Sequence, residues 1–92
     1  MERTKSKNEE LINLLGMKGS YEILKELEKG NKRFKDLKKV VTHSTLTKRL
    51  FELEKFNLIA RKVDESRRPP VVEYILTEKG KEILEFFRKF RE

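Results

Sequence analysis

Residues 64–80 read DESRRPPVVEYILTEKG, and the reading of this stretch decides the fold. Val71, Glu73 and Ile75 alternate with Val72, Tyr74 and Leu76. Upstream, in LIARKVDE (58–65), Ile59, Arg61 and Val63 alternate with Ala60, Lys62 and Asp64. Two period-two runs, rich in β-branched and aromatic residues and separated by a proline pair, predict an antiparallel hairpin with its loop at Glu65–Pro70. Thr77 closes the second strand and caps a last helix, with Glu78 well placed in the first turn and an end near Arg91. Arg67, Arg68, Pro69 and Pro70 then form the hairpin tip. The prolines stiffen it, because their φ is fixed and a loop tip needs no N–H. A stiff loop loses less entropy on docking.

Before the hairpin the period is helical. Residues 1–8 are polar and read as a frayed end. Residues 8–16 carry Leu11, Ile12, Leu14 and Leu15 on a short helix stopped by Gly16. A second helix starts at Ser20 as N-cap, buries Ile23, Leu24 and Leu27, and stops at Gly30-Asn31. A third, over 33–40, places Phe34, Leu37, Val40 and Val41 at spacings of three and four. Thr42 caps a fourth helix, which carries Leu46, Leu50 and Leu53 and ends near Phe56-Asn57. The third and fourth helices have helix-turn-helix proportions, and a hairpin straight after them makes the unit winged. The predicted fold class is therefore mainly α with a small β-hairpin (α+β): one domain over 1–92, a winged helix-turn-helix with added terminal helices.

Composition narrows the function. In 92 residues there are 23 Lys and Arg against 16 Asp and Glu, a net charge of +7. The excess is concentrated. Residues 1–31 sum to zero, whereas 32–49 sum to +6 and 61–68 to +2. A face holding both blocks suits a polyanion. There is no cysteine, which excludes disulfides, thiolate nucleophiles and zinc-thiolate sites. One histidine and no glycine-rich phosphate loop argue against an enzyme and against a metal site. Glu22, Glu26 and Glu28 sit among basic neighbours as ion-pair decoration. No apolar run approaches a membrane span, and the N-terminus lacks a signal-like segment. A cytoplasmic, soluble protein without cofactors is expected. Abundant Lys and Glu with no glutamine point to a heat-adapted source.

Taken together, RFKDL (33–37), HSTLTKRLFELEKFNLIARKV (43–63) and PPVVEYILTEKGKEI (69–83) resemble the HxlR-type winged-helix transcription regulators of bacteria and archaea, over roughly residues 18–85. The chain departs from that pattern in three ways. It has no N-terminal cysteine, so thiol sensing is not implied. Lys18–Ser20 read KGS where the pattern has a tryptophan. Val71 follows the prolines where an arginine is usual, while Arg67 and Arg68 precede them. The resemblance implies a homodimeric, sequence-specific regulator that binds double-stranded DNA.

The residues support the same reading independently. Ser44 and Lys48 point almost opposite the Leu46–Leu50–Leu53 stripe, and His43, Ser44, Thr45, Thr47, Lys48 and Arg49 crowd the N-terminal half of a recognition helix. Lys48 or Arg49 suits guanine; Ser44, Thr45 or Thr47 suits a base edge or thymine methyl. Lys32, Arg33, Lys35, Lys38 and Lys39 suit backbone phosphates, and Arg67 and Arg68 the minor groove or its walls. Phe51 falls opposite the buried stripe, where solvent or DNA should stand; a neighbouring element or a partner chain is left open as its cover. Leu11, Ile12 and Leu15 with Ile83, Phe86, Phe87 and Phe90 span arcs too broad for one small core. They predict a two-fold dimer through the terminal helices, 8–16 and 78–91. Two other readings stay open: a winged-helix module that binds protein, and a non-specific architectural DNA-binding protein. RNA is a lesser option, since no aromatic stacking platform is evident.

Overall fold

The structure is a computed structural model and describes residues 6–91. In chain order it has α1 (Lys7–Gly16), α2 (Ser20–Glu28), α3 (Phe34–Leu37), α4 (His43–Lys55), β1 (Ile59–Asp64), β2 (Val71–Leu76) and α5 (Glu78–Arg91). The predicted order of four helices, hairpin and helix holds, and the fold is an α+β winged helix. Fraying was expected over 1–8. Residues 1–5 lie outside the described residues, but Ser6 is the N-cap of α1. Its hydroxyl accepts the Glu9 N–H at 3.1 Å and its own N–H donates to the Glu9 carboxylate at 3.1 Å, a reciprocal capping box.

Three helix boundaries differ from expectation. Gly16 stays within α1, and Met17, in extended conformation, ends it. Ser20 does not cap α2. Gly19 does, at φ +94°, a conformation that L side chains resist. A Cβ on Gly19 would also stand 3.0 Å from Thr45 Cγ2 and 3.2 Å from Val41 Cγ1. Ser20 is instead fully buried, its hydroxyl donating to the Leu14 carbonyl at 2.6 Å. That bond is the second one accepted by the Leu14 carbonyl, which also takes the Met17 N–H at 3.0 Å, and it locks α1 to α2. Finally, α3 is four residues long rather than eight. The chain after Leu37 turns, and Val40 is left exposed while Val41 enters the core. The spacing of three and four over 34–41 was met by a short helix plus a turn.

The buried side chains form one cluster: Leu14 from α1, Ile23, Leu24 and Leu27 from α2, Leu37 and Val41 around α3, Leu46, Leu50 and Leu53 from α4, Leu58 and Ile59, Leu76, and Leu84 from α5. The stripe predicted on α4 is therefore the one buried. That helix ends as a Schellman motif. Asn57 adopts φ +64°, its N–H reaches the Glu54 carbonyl at 2.9 Å, and the Leu58 N–H reaches Leu53 at 3.0 Å. The buried Leu58 supplies the hydrophobic contact that accompanies this cap.

The two strands pair antiparallel, Ile59 opposite Leu76 through Asp64 opposite Val71. At the base of the hairpin, Thr77 ties three elements together. Its hydroxyl lies 2.7 Å from the Asn57 carbonyl and 3.0 Å from that of Leu58, and it accepts the Gly80 N–H at 2.9 Å. This is the predicted cap of α5. The sheet also has a third member that the alternation did not indicate. Lys32 pairs its backbone with Tyr74, N–H to O at 3.1 Å and O to N–H at 2.7 Å. A single residue between α2 and α3 thereby fastens the helix-turn-helix to the wing. Among the described residues no helix is long and apolar enough to cross a membrane.

Candidate nucleic-acid interface

The outer face of α4 follows from the inner one. With about 100° per residue, burial of Leu46, Leu50 and Leu53 turns Ser44, Thr47, Lys48, Phe51 and Lys55 outward, and all five are exposed. The six recognition-helix candidates divide. His43, Ser44, Thr47 and Lys48 are exposed; Thr45 and Arg49 are half-buried. Thr45 leans on the Gly19 turn. Arg49 is held within the protein: its Nε donates to the Lys18 carbonyl at 3.0 Å, and its guanidinium is paired with the Glu52 carboxylate. Only 13% of its side chain is exposed. It bridges the α1–α2 turn to α4 and fixes the helix that carries Lys48. The Thr47 hydroxyl donates to the His43 carbonyl at 3.0 Å, a local bond that leaves its methyl free.

Phe51 is 71% exposed, so no neighbouring element covers it. Of the two covers left open by the sequence, the first is excluded.

The basic residues of 32–39 also divide. Lys35, Lys38 and Lys39 are exposed, while Lys32 and Arg33 are half-buried against the wing. Asp36 accepts the Arg33 N–H at 3.1 Å and so caps α3. Arg33 also faces the wing tip. It lines a cleft of about 310 Å3 with Arg67, Arg68, Pro69, Pro70 and Val71. A second cleft, of about 230 Å3, lies between Arg33, Lys62, Asp64 and Arg67. Next to Arg33, the Phe34 ring meets His43 edge-on, centroids 5.2 Å apart. Arg33 thus faces the wing across the cleft, while its neighbour Phe34 touches the first residue of α4. The sequence marked both basic blocks but not their junction at Arg33. The pairing of Lys32 with Tyr74 creates it, and that pairing has no local signal.

The wing loop is shaped by its own polar groups. The Asp64 carboxylate accepts the Ser66 hydroxyl at 2.6 Å and the Ser66 N–H at 3.1 Å. These bonds, with the positive charges of Arg67 and Lys62, hold the Asp64 carboxyl below its ordinary range. Among the described residues, no group of three or more His, Cys, Asp or Glu stands close enough to hold a metal ion.

At the far end, α1 and α5 leave apolar side chains in water. Ile12 is 67%, Phe86 58% and Phe90 75% exposed. With Leu15 and Phe87 they line a groove of about 390 Å3. Phe86 and Phe90 stack edge-on at 5.0 Å, and Phe87 meets Tyr21 at 5.1 Å. Leu11 and Ile83, named with them from the sequence, lie half-buried against the core, as does Leu15, which also lines the groove.

A family model described as an HxlR-like helix-turn-helix matches residues 14–92. The chain belongs to that family. An uncharacterized HTH-type transcriptional regulator of Methanothermobacter thermautotrophicus is 40% identical over 76 residues, which cover 79% of this chain. The chain spans 57% of that relative's length. Among solved structures, the reduced form of the transcriptional regulator YodB from B. subtilis superposes with a TM-score of 0.78 at 30% identity, covering 96% of this chain and 89% of that one. The redox regulator HypR in its oxidized form gives 0.79 at 28%, covering 94% and 91%. These relatives are described as regulators, not as enzymes. The HxlR-like winged helix here has no cysteine, and so no thiol to reduce or oxidise.

Proposed function

We propose that this HxlR-like chain is a transcription regulator that binds double-stranded DNA as a homodimer, with α4 in the major groove and the wing on the minor groove or backbone. The observation that carries the reading is the cleft that Arg33 shares with Arg67 and Arg68, with the adjacent Phe34 packed on His43 at the start of α4. It joins the two basic blocks into one surface beside the exposed Ser44, Thr47 and Lys48. A duplex offers a groove for the helix and phosphates on either side of it.

In this arrangement Lys48 donates to a base edge, with guanine its best acceptor, and Ser44 and Thr47 contact neighbouring positions. His43 sits at the groove entrance, packed on Phe34. Lys35, Lys38 and Lys39 meet phosphates. Arg33, Arg67 and Arg68 clamp the backbone where it passes the wing. Thr45 and Arg49 act from behind: both are engaged with the α1–α2 turn, and they orient α4 rather than touch DNA. The domain is one unit over 1–92. A second copy covers Ile12, Leu15, Phe86, Phe87 and Phe90, so that two recognition helices meet half-sites about 34 Å apart.

Selection of binding sites from a randomised duplex pool at two salt concentrations tests this. The expected result is a two-fold symmetric motif. Binding without a motif, lost steeply with salt, would make the protein a phosphate-only architectural factor. Absence of binding at low salt would overturn the reading.

A further inference from the structure

Phe51 is unexplained by the fold and by the contacts assigned above. Alone, an exposed aromatic side chain says little. Its neighbours give it meaning. Ser44, Lys48, Phe51 and Lys55 follow each other at spacings of four, three and four, one continuous stripe along the outside of α4, and all are exposed. The ring makes no aromatic contact among the described residues. It stands between two ammonium groups in sequence and on the face, Lys48 one turn before it and Lys55 one turn after.

An apolar protein partner would suit the ring but would strand both lysines against an apolar surface, which is costly. A purely anionic partner would suit the lysines and leave the ring in water. The DNA major groove offers both chemistries in one place: phosphates along its edges, and on its floor one apolar group, the C5 methyl of thymine. Phe51 lies seven residues beyond Ser44, about 10 Å along the helix axis at 1.5 Å per residue. That is about three base-pair steps at 3.4 Å each. We infer that Phe51 is a specificity-determining residue that reads a thymine methyl, about three base pairs from the position met by Ser44. The inference rests on the proposed binding of duplex DNA by α4.

The contact discriminates in a defined way. Thymine and 5-methylcytosine carry the methyl group; uracil and cytosine do not. Burying one methyl against the ring favours the methylated base by about four-fold.

The test is site selection with wild-type protein and with Phe51→Ala, from one randomised duplex pool made with thymidine and a second made with deoxyuridine. Wild-type protein is expected to select a thymine at the Phe51 position of each half-site from the first pool and to lose that preference in the second. Phe51→Ala is expected to be indifferent there in both pools while keeping the remaining positions, and Phe51→Leu, still apolar, to retain part of the preference. Because Phe51 is exposed, the melting temperature of each variant should match wild type, and this is checked first. An unchanged motif with Phe51→Ala would overturn the inference and leave the DNA reading intact. So would an unchanged motif accompanied by a shift in oligomeric state, which would assign Phe51 to a second copy. Binding by the wild-type protein without any motif would overturn this inference and sequence-specific reading together, and absence of binding would overturn DNA binding as well.

Discussion

The two ends of the molecule leave opposite chemistries in water. At the α4 and wing end the exposed groups are mostly lysines, arginines and hydroxyls, with Phe51, Val40 and Val63 and a few carboxylates among them. At the α1 and α5 end they are Ile12, Phe86 and Phe90 around an apolar groove. Both ends rest on the same core, and each presents one long amphipathic helix, α4 of 13 residues and α5 of 14. The difference lies in what the unburied face can recruit. Charged and hydroxylic groups are stable in water and wait for a polyanion; a cluster of aromatic side chains is covered only by more apolar surface. A second copy supplies that surface twice over by symmetry, so association at one end is what would set the spacing at the other.

The strongest way to break the comparison is to damage the joint between the ends. Gly80 sits where the hairpin base meets α5, and a Cβ there would stand 2.1 Å from the Leu58 carbonyl oxygen and 2.7 Å from Leu76 Cδ1. Backbone cannot yield as a flexible side chain would. Gly80→Ala should therefore cost about 3 kcal/mol, read by urea denaturation, and should weaken dimerisation and DNA binding in parallel.

Next in size, Phe86→Ala and Phe90→Ala should each weaken self-association by about 2 kcal/mol, roughly 30-fold, with monomer stability within about 0.5 kcal/mol of wild type. Light scattering over a dilution series reads this. Their edge-on contact predicts that the double variant loses less than the sum. A wild-type chain that stays monomeric at all concentrations would remove the dimer from the proposal.

The opposite end is probed by salt. Arg33→Ala and Arg67→Ala should each reduce the slope of log K against log salt concentration by about 0.9, one released counterion apiece, without touching self-association or melting. If Arg33→Ala left the slope unchanged, the cleft it shares with the wing would not hold a phosphate.

The smallest effect is in acid. Arg88 donates to Glu28 at 2.6 and 3.3 Å, tying α5 to α2, and also to Glu85 at 3.1 Å. The hydrogen bond from Arg88 holds the Glu28 carboxyl below its ordinary value, aided by the charges of Arg88 and Lys25. A depressed carboxyl stabilises the fold above its unfolded pKa, and that contribution fades as pH falls through the folded value. Thermal stability should therefore drop slightly below about pH 4.5, and Glu28→Gln should flatten that part of the profile. The pair is solvent-exposed and screened, so the effect is small.

Much of this architecture was legible along the chain because it follows from periodicity. The change from a helical to a two-residue repeat at Ile59, the proline pair and Thr77 located the hairpin and the start of α5 to the residue. Leu46, Leu50 and Leu53 fixed which face of α4 is buried, and hence which face is free. Where local signals competed, the reading slipped. Ser20 is a good N-cap by type, but a positive-φ glycine beside it took that role and freed Ser20 for a buried bond to Leu14. The apolar spacing after Phe34 persisted through a turn, because Val41 reaches the core without being helical.

The sequence by itself thus determined the element order, the buried stripe, the two basic blocks and the aromatic excess at the C-terminal end. Each is a property of neighbours within one or two turns, where 3.6- and 2-residue periods hold. The tertiary structure alone decided that Lys32 joins the wing sheet through Tyr74, that Arg33 faces Arg67 and Arg68 across a cleft, and that Arg49 is held by the Lys18 carbonyl and Glu52. It also decided that Phe51 stands uncovered. These depend on groups up to about 40 residues apart in sequence, brought together by the burial of one shared core, and no local pattern encodes a meeting of that range.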